Sequence, residues 1–336
     1  MTSSFFLRLG MTATMMAAAG AGAANEVREE PLDLVVSGVS IPCRLSWPAE
    51  APTGAALLLP GSLYSDVDGD FPTMNMRPHA YADLAGQLAE RGILVLRMAK
   101  IGPGTGAQVV DADEAGAHST FATRRVVALA ALRMLRARGG AVPTVVMGHS
   151  EGAVVASMLA GGAGGDEVDG VVSLSGPSLP IFGIMREQIS TMPAAEAPDI
   201  AIFDAAIAAL RAGRAPSQAA ASDPRMGMLL SMPPPALVYL RSIDAVNPLV
   251  EIAGVRQPVL FVQGGRDPSV PTHHVEALSS AYRGRAATMR VFPELNHFYK
   301  RVPVGLAPMS SMQVGETSDP AVAEAIATWL SDLRAR

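Results

Sequence analysis

The stretch Thr144-Val145-Val146-Met147-Gly148-His149-Ser150-Glu151-Gly152 decides the reading of this chain. A short apolar run ends on one glycine, a serine follows two positions later and a second glycine two after that, and apolar residues at helical spacing then begin. The pattern predicts a strand that turns abruptly into a helix with Ser150 at the apex. Glycine at 148 and 152 leaves room for backbones to pass closely, while the turn holds Ser150 in a strained conformation with its hydroxyl presented outward. A serine presented this way serves as a nucleophile once a base takes its proton. The N–H of Glu151, at the helix N-terminus, is aimed where negative charge develops on a tetrahedral intermediate, so Glu151 is one expected oxyanion donor. A structural loop serine in a glycine-rich chain is the competing reading, and it leaves the strand–turn–helix setting unexplained.

Working outward, residues 32–47 read as two strands with a turn at Gly38, residues 55–59 as a buried strand broken by Pro60-Gly61-Ser62, residues 81–91 as a helix and residues 93–96 as a strand. A helix over 121–138 leads into the decisive stretch; a helix over 153–160 and a strand over 168–174 follow it. Such alternation implies a mostly parallel sheet with helices on both faces. From 178 to 248 the rhythm fails and gives way to helical patches and Pro- and Met-rich sequence, read as an inserted helical cap. Strands at 258–262 and 288–292 and a closing helix at 320–333 restore the pattern. The expected organisation is therefore core over 25–177, cap over 178–248, and core again over 249–336.

Six histidines could serve as the base. His297 has the expected position, in the loop Pro293-Glu294-Leu295-Asn296-His297-Phe298 beyond the carboxyl end of a strand. His149 is too near Ser150 to bend back onto it, and His79, His118 and the pair His273-His274 read as surface or capping residues, with the pair also suited to a cleft rim. The imidazole needs a carboxylate on its other nitrogen. Asp267, in Gly264-Gly265-Arg266-Asp267-Pro268 directly after a strand, completes the order Ser…Asp…His found in one class of triad enzymes. A turn or helix-cap role is the alternative for Asp267, and Glu294, sharing the base's own loop, is a weaker rival. The second oxyanion donor is expected in the loop after strand 55–59, from the N–H of Ser62 or, second, Leu63.

Composition narrows the rest. Hydrophobic residues make up 49% and charged residues 17% of 336, which suits a globule with a large core and excludes intrinsic disorder as a class. The net charge of −5 with scattered Lys and Arg offers no electrostatic footprint for nucleic acid. Gly102-Pro103-Gly104-Thr105-Gly106 lacks a phosphate-binding lysine, and Ser65-Asp66-Val67-Asp68-Gly69-Asp70 lacks the twelve-residue loop and terminal glutamate of an EF-hand, so neither a nucleotide cofactor nor a metal is expected. Cys43, the single cysteine, rules out an internal disulfide and reads as a small core hydrophobe. Residues 1–24 carry Arg8, then an uncharged Ala- and Met-rich run and the small-x-small stretch Ala21-Gly22-Ala23, the pattern of a signal peptide cleaved after Ala23 or Ala24. The run is too short and weakly apolar for a stable membrane span. The expected location is therefore exported, periplasmic or secreted.

The chain resembles the α/β-hydrolase superfamily, in its serine aminopeptidase-like and dienelactone hydrolase-like esterase branch. The likeness is carried by Pro60-Gly61-Ser62 with Asp66-Val67-Asp68-Gly69, by Gly148-His149-Ser150-Glu151-Gly152, by Val168 to Leu174, by Gly264-Gly265-Arg266-Asp267 and by Asn296-His297. Where relatives often carry Asp-Lys-Arg-Gly after the fourth strand, this chain has Ala99-Lys100-Ile101-Gly102. The resemblance implies a cofactor-free acyl-enzyme mechanism on esters or related small acyl compounds. A peptidase or amidase using the same triad and a non-catalytic exported binding protein of the same fold are the rival readings. In the cap, Met185, Met192, Met226, Met228 and Met232 suit either an adaptable acyl pocket or ordinary packing.

Overall fold

A computed structural model of the chain describes residues 27–192, 194, 197–230, 232, 234–306 and 309–334. The predicted leader lies outside the described residues. Nine strands form one sheet: β1 (Arg28–Val36), β2 (Val39–Trp47), β3 (Gly54–Leu59), β4 (Ile93–Met98), β5 (Gln108–Val109), β6 (Thr144–His149), β7 (Gly170–Leu174), β8 (Val259–Gly264) and β9 (Ala287–Phe292). Their order is β1-β2-β4-β3-β6-β7-β8-β9, with β5 on β2. β1, β2 and β5 pair antiparallel, and every pairing from β4 through β9 is parallel.

The helices are α1 (Ala80–Ala89), α2 (Ala112–Ala115), α3 (Thr123–Gly139), α4 (Glu151–Ala160), α5 (Ile181–Thr191), α6 (Ile200–Arg211), α7 (Gln218–Ser222), α8 (Gly227–Leu230), α9 (Pro234–Asp244), α10 (Pro248–Gly254), α11 (His273–Ala281) and α12 (Pro320–Arg334). Because side chains alternate along a strand, each of the wholly buried strands β3, β4, β6, β7 and β8 feeds two cores, whereas the edge strand β9 is partly exposed. Leu57, Leu59, Val146, Val171 and Phe261 face α3, α4, α10 and α11, through Leu132, Leu135, Val155, Leu159, Ile252 and Leu278. Leu58, Met147, Val172, Leu260 and Val262 face α1 and α12, through Tyr81, Leu84, Leu88, Ile326, Trp329 and Leu330. Burying both faces explains why these strands read as continuous apolar runs.

Residues between β7 and β8 build a third, separate core from Phe182, Phe203, Ile207, Leu210, Met226 and Leu229. Met226 is buried there and Met185 packs against that core, so packing accounts for two of the five methionines singled out in this segment; Met192 is 37% exposed. Cys43 lies buried on β2, and burial pushes its thiol up to about 12, which makes it an inert core residue. In the acidic loop, Asp66 Oδ1 accepts from the N–H groups of Asp68 and Asp70, Asp68 pairs with Arg97 and Arg44, and Asp70 accepts from His79. These carboxylates serve the loop's own folding rather than facing solvent alone. Among the described residues, no helix is long and apolar enough to cross a membrane.

Candidate active site

Three loops leave the carboxyl ends of β6, β8 and β9 on one edge of the sheet, and they carry Ser150, Asp267 and His297. The turn from β6 into α4 places Ser150 at φ 54°, ψ −122°, a conformation L-residues avoid, and its N–H donates to Leu174 O at 2.8 Å. The two flanking glycines are required by contact. A Cβ on Gly148 would lie 2.1 Å from Gly152 O, and one on Gly152 would lie 2.4 Å from Leu59 O, so the turn has no space for either.

Asp267 and His297 are joined: His297 Nδ1 lies 2.7 Å from Asp267 Oδ2, with both side chains buried. Asp267 also accepts from the N–H groups of Ser269 (2.8 Å) and Val270 (2.9 Å) and from Gln263 Nε2 (3.2 Å). Burial alone would raise its carboxyl, but His297 and the N–H groups of Val270 and Ser269 more than offset that and hold it below the usual carboxylate range. An ionised acceptor at Oδ2 fixes the proton on Nδ1 and leaves Nε2 available as a base. The base's loop is tied by Asn296, whose Oδ1 accepts from Phe298 N and Lys300 N and whose Nδ2 donates to Ser311 O at 2.6 Å. Among the described residues Ser150 Oγ makes no hydrogen bond, with His297 or any other group; such contacts are often long before substrate arrives.

Beneath the serine, Gly61 approaches so closely that a Cβ there would lie 3.1 Å from Ser150 Cβ. The loop after β3 is pinned almost atom by atom. Arg124 Nη2 donates to Pro60 O (2.8 Å), Gly61 N donates to Tyr81 Oη (2.9 Å), Lys100 Nζ donates to Gly61 O (3.1 Å), and Ser62 Oγ donates to Glu151 Oε2 (3.0 Å). Among the described residues, the N–H groups of Ser62 and Glu151 have no acceptor.

Sequence reasoning anticipated the backbone of Glu151 but not its side chain. That carboxylate is buried between Lys100 Nζ (2.9 Å) and Arg124 Nη1 (2.8 Å). Burial opposes its ionisation, yet the two cations and Ser62 hold its pKa below the ordinary value. Lys100 moves the other way: burial pushes its ammonium down to about 8 against the pull of Glu151. From the segment between β7 and β8, the Tyr239 ring on α9 stands 6.0 Å from Lys100 Nζ. The usable signal for Lys100 was its place directly beyond a strand's carboxyl end.

One histidine differs from the expected surface or capping role. His274 of the pair is fully buried, whereas His273 is half exposed; His149, beside Ser150, is buried as well. His274, His273 and Glu187 bring three candidate metal-ligand groups together. However, His274 Nδ1 accepts from Ser178 N at 3.1 Å, so its proton sits on Nε2 and is directed to Glu187 Oε2 at 3.1 Å. That tautomer makes the cluster a hydrogen-bonded clasp between α5 and α11 rather than a set of free lone pairs. His79 pairs with Asp70, His118 donates to the carbonyls of Val36 and Ser37, and Glu294 pairs with Arg301 on the surface.

The sequence model of the family described as serine aminopeptidase, S33, matches residues 73–299. The chain belongs to this family of α/β hydrolases. A curated relative, esterase EstD of Thermotoga maritima, is 26% identical over 307 residues, covering 90% of this hydrolase and 67% of EstD. Among solved structures, Est1E from Butyrivibrio proteoclasticus with bound ferulic acid has a TM-score of 0.55 at 14% identity, covering 91% of this hydrolase and all (100%) of that chain. The Pyrococcus furiosus esterase Pf2001 has a TM-score of 0.54 at 14% identity, covering 91% of each chain. These structural likenesses establish the α/β-hydrolase fold of this chain.

Proposed function

We propose that this hydrolase cleaves carboxylic esters of small-molecule acyl substrates through an acyl-enzyme on Ser150, with His297 as base, Asp267 as its orienting carboxylate, and the N–H groups of Ser62 and Glu151 as the oxyanion hole. Ser150 Oγ attacks the acyl carbon as His297 Nε2 takes its proton, and the carbonyl oxygen gains negative charge between the two N–H groups. The alkoxide leaves with the proton from His297. Water then attacks the acyl carbon, His297 takes its proton and returns it to Ser150, and the carboxylic acid departs. Water is the only co-substrate the cycle consumes.

The observation that carries this reading is the 2.7 Å His297–Asp267 contact on the same sheet edge as a strained Ser150 whose neighbouring N–H groups are unengaged. The relationship to esterase EstD favours esters over amides. So does the rim: Leu63 (50% exposed) and Tyr64 (38% exposed), directly after Ser62, offer apolar surface to an acyl or alkoxy group. We further propose export, with cleavage after Ala23 or Ala24; β1 begins at Arg28, so cleavage there leaves β1 whole.

The test is turnover of p-nitrophenyl acetate, butyrate and longer esters beside a panel of aminoacyl anilides, by the protein and by Ser150→Ala. The reading expects ester turnover that vanishes in Ser150→Ala. Turnover confined to anilides would make the protein a peptidase, and none on either panel would favour a binding protein of this fold.

A further inference from the structure

The two peptide units that lead into the proposed oxyanion hole are held at three of their four polar ends. Pro60 O is held by Arg124, Gly61 N by Tyr81 and Gly61 O by Lys100. The fourth end, Ser62 N–H, has no acceptor among the described residues. A trans peptide is planar, with its carbonyl and N–H on opposite edges, and no described peptide bond is cis. Fixing Gly61 O therefore fixes the direction of Ser62 N–H.

We propose that Lys100 is the positioning residue of the oxyanion hole: by holding Gly61 O and the Glu151 carboxylate together, it aims Ser62 N–H at the oxygen of an acyl group on Ser150. The inference rests on the reading of Ser150 as nucleophile. Lys100 and Glu151 are buried, and their charged ends are taken up by each other, by Gly61 O, by Ser62 Oγ and by Arg124, so both act through the backbone they hold. Glu151 unites the two donors, since its own N–H is one and its carboxylate anchors the Ser62 hydroxyl beside the other at 3.0 Å. The ammonium suits this task because it can bond a carbonyl and a carboxylate oxygen at once, at 3.1 Å and 2.9 Å. Arg124 makes the parallel pair of contacts one peptide earlier, to Pro60 O and Glu151 Oε1. It leaves the Gly61–Ser62 unit to Lys100 alone. Burial, which lowers the lysine to about 8, adds a readout of its own: the aim should loosen as Lys100 loses its proton, and arginine should prevent this.

The experiment compares the protein with Lys100→Met, Lys100→Arg, Lys100→Met/Glu151→Gln and Ser150→Ala. It measures kcat and KM on p-nitrophenyl butyrate and the rate of Ser150 labelling by a fluorophosphonate, whose phosphoryl oxygen must enter the same hole. The double variant keeps the cluster's net charge and leaves no unpaired carboxylate, and it covers the case in which Lys100→Met fails to fold. Removing the aim of one donor is expected to lower kcat and the labelling rate by about 10- to 100-fold, somewhat less than deleting a donor outright, with KM little changed. The double variant should be as slow as Lys100→Met. Lys100→Arg should recover part of the rate and keep it above pH 8, where the native rate declines.

Native kcat and labelling in Lys100→Met, or recovery in the double variant, would overturn the inference while leaving Ser150 in place. Turnover or labelling that survives Ser150→Ala would overturn the nucleophile reading itself, and this inference with it.

Discussion

His149 donates from Nε2 to the main-chain carbonyl of His297 at 2.9 Å, so the residue before the serine holds the loop that carries the base. The tautomer follows from the neighbours. Gly61 N–H donates to Tyr81 Oη, Tyr81 gives its own proton to His149 Nδ1 at 3.1 Å, and Nε2 must then carry the proton that the His297 carbonyl accepts. Burial, with His297 close by, pushes His149 down to about 3 and keeps it neutral. One continuous line of hydrogen bonds thus joins the oxyanion loop to the base's loop through Tyr81 and His149.

His149→Phe leaves the Tyr81 hydroxyl and the His297 carbonyl without their partners. Loss of positioning is expected to lower kcat by roughly 10- to 100-fold, since small misplacements of reacting groups carry penalties of that order. The shape of the pH profile should not change, because a neutral His149 contributes no titration. Steady-state kinetics between pH 6 and pH 9 reads both, and a native kcat would refute the role.

Asp267→Asn removes the charge that fixes His297. A drop in kcat of about 10³- to 10⁴-fold is expected from the loss of the correct tautomer. The same carboxyl links to stability. Its pKa is held below the unfolded value, so its contribution is present above about pH 4 and is lost as pH falls through the lower folded value. Urea midpoints measured from pH 6 down to pH 3 should fall less steeply in Asp267→Asn than in the native protein.

Much of this arrangement was legible in the sequence. Strands that feed two cores had to be apolar throughout, and the glycines of the elbow mark contacts of 2.1 and 2.4 Å that no other residue permits. Ser150, Asp267 and His297 each follow a strand's carboxyl end, where the topology brings loops together. The cluster of Lys100, Glu151 and Arg124 was not legible. Its partners lie 51 and 27 positions apart along the chain and meet only through tertiary packing, so no local pattern announces them. β1 begins at Arg28, earlier than the expected residue 32, because Glu29 and Glu30 accept from Ser46 Oγ and Trp47 Nε1 across the hairpin, which an apolar pattern cannot register.

Gly152→Ala tests the elbow's packing. Its Cβ would press on the carbonyls of Leu59 and Pro60, which are backbone atoms and cannot swing aside. A loss of about 1–3 kcal/mol is expected, as for other overpacked sites, and a lowered urea midpoint would report it. An unchanged midpoint would mean that the turn has slack the contacts deny.

Lys100 makes stability depend on alkaline pH. Its folded pKa, about 8, lies below the unfolded value near 10.5, so the folded state binds fewer protons between the two. Stability from this group therefore rises with pH across that window and is lost as pH falls through 8. Denaturation at pH 7.5 to 9.5 should show this slope in the native protein and lose it in Lys100→Arg; equal slopes would contradict it.

The central claim is that Ser150 carries the acyl group. The direct measurement is mass spectrometry of the protein quenched during turnover of p-nitrophenyl acetate, with the peptide carrying Ser150 sequenced. The account predicts an acetyl group on Ser150 that disappears as substrate is exhausted and never forms in Ser150→Ala. Ester turnover with Ser150 unmodified, and persisting in Ser150→Ala, would contradict it.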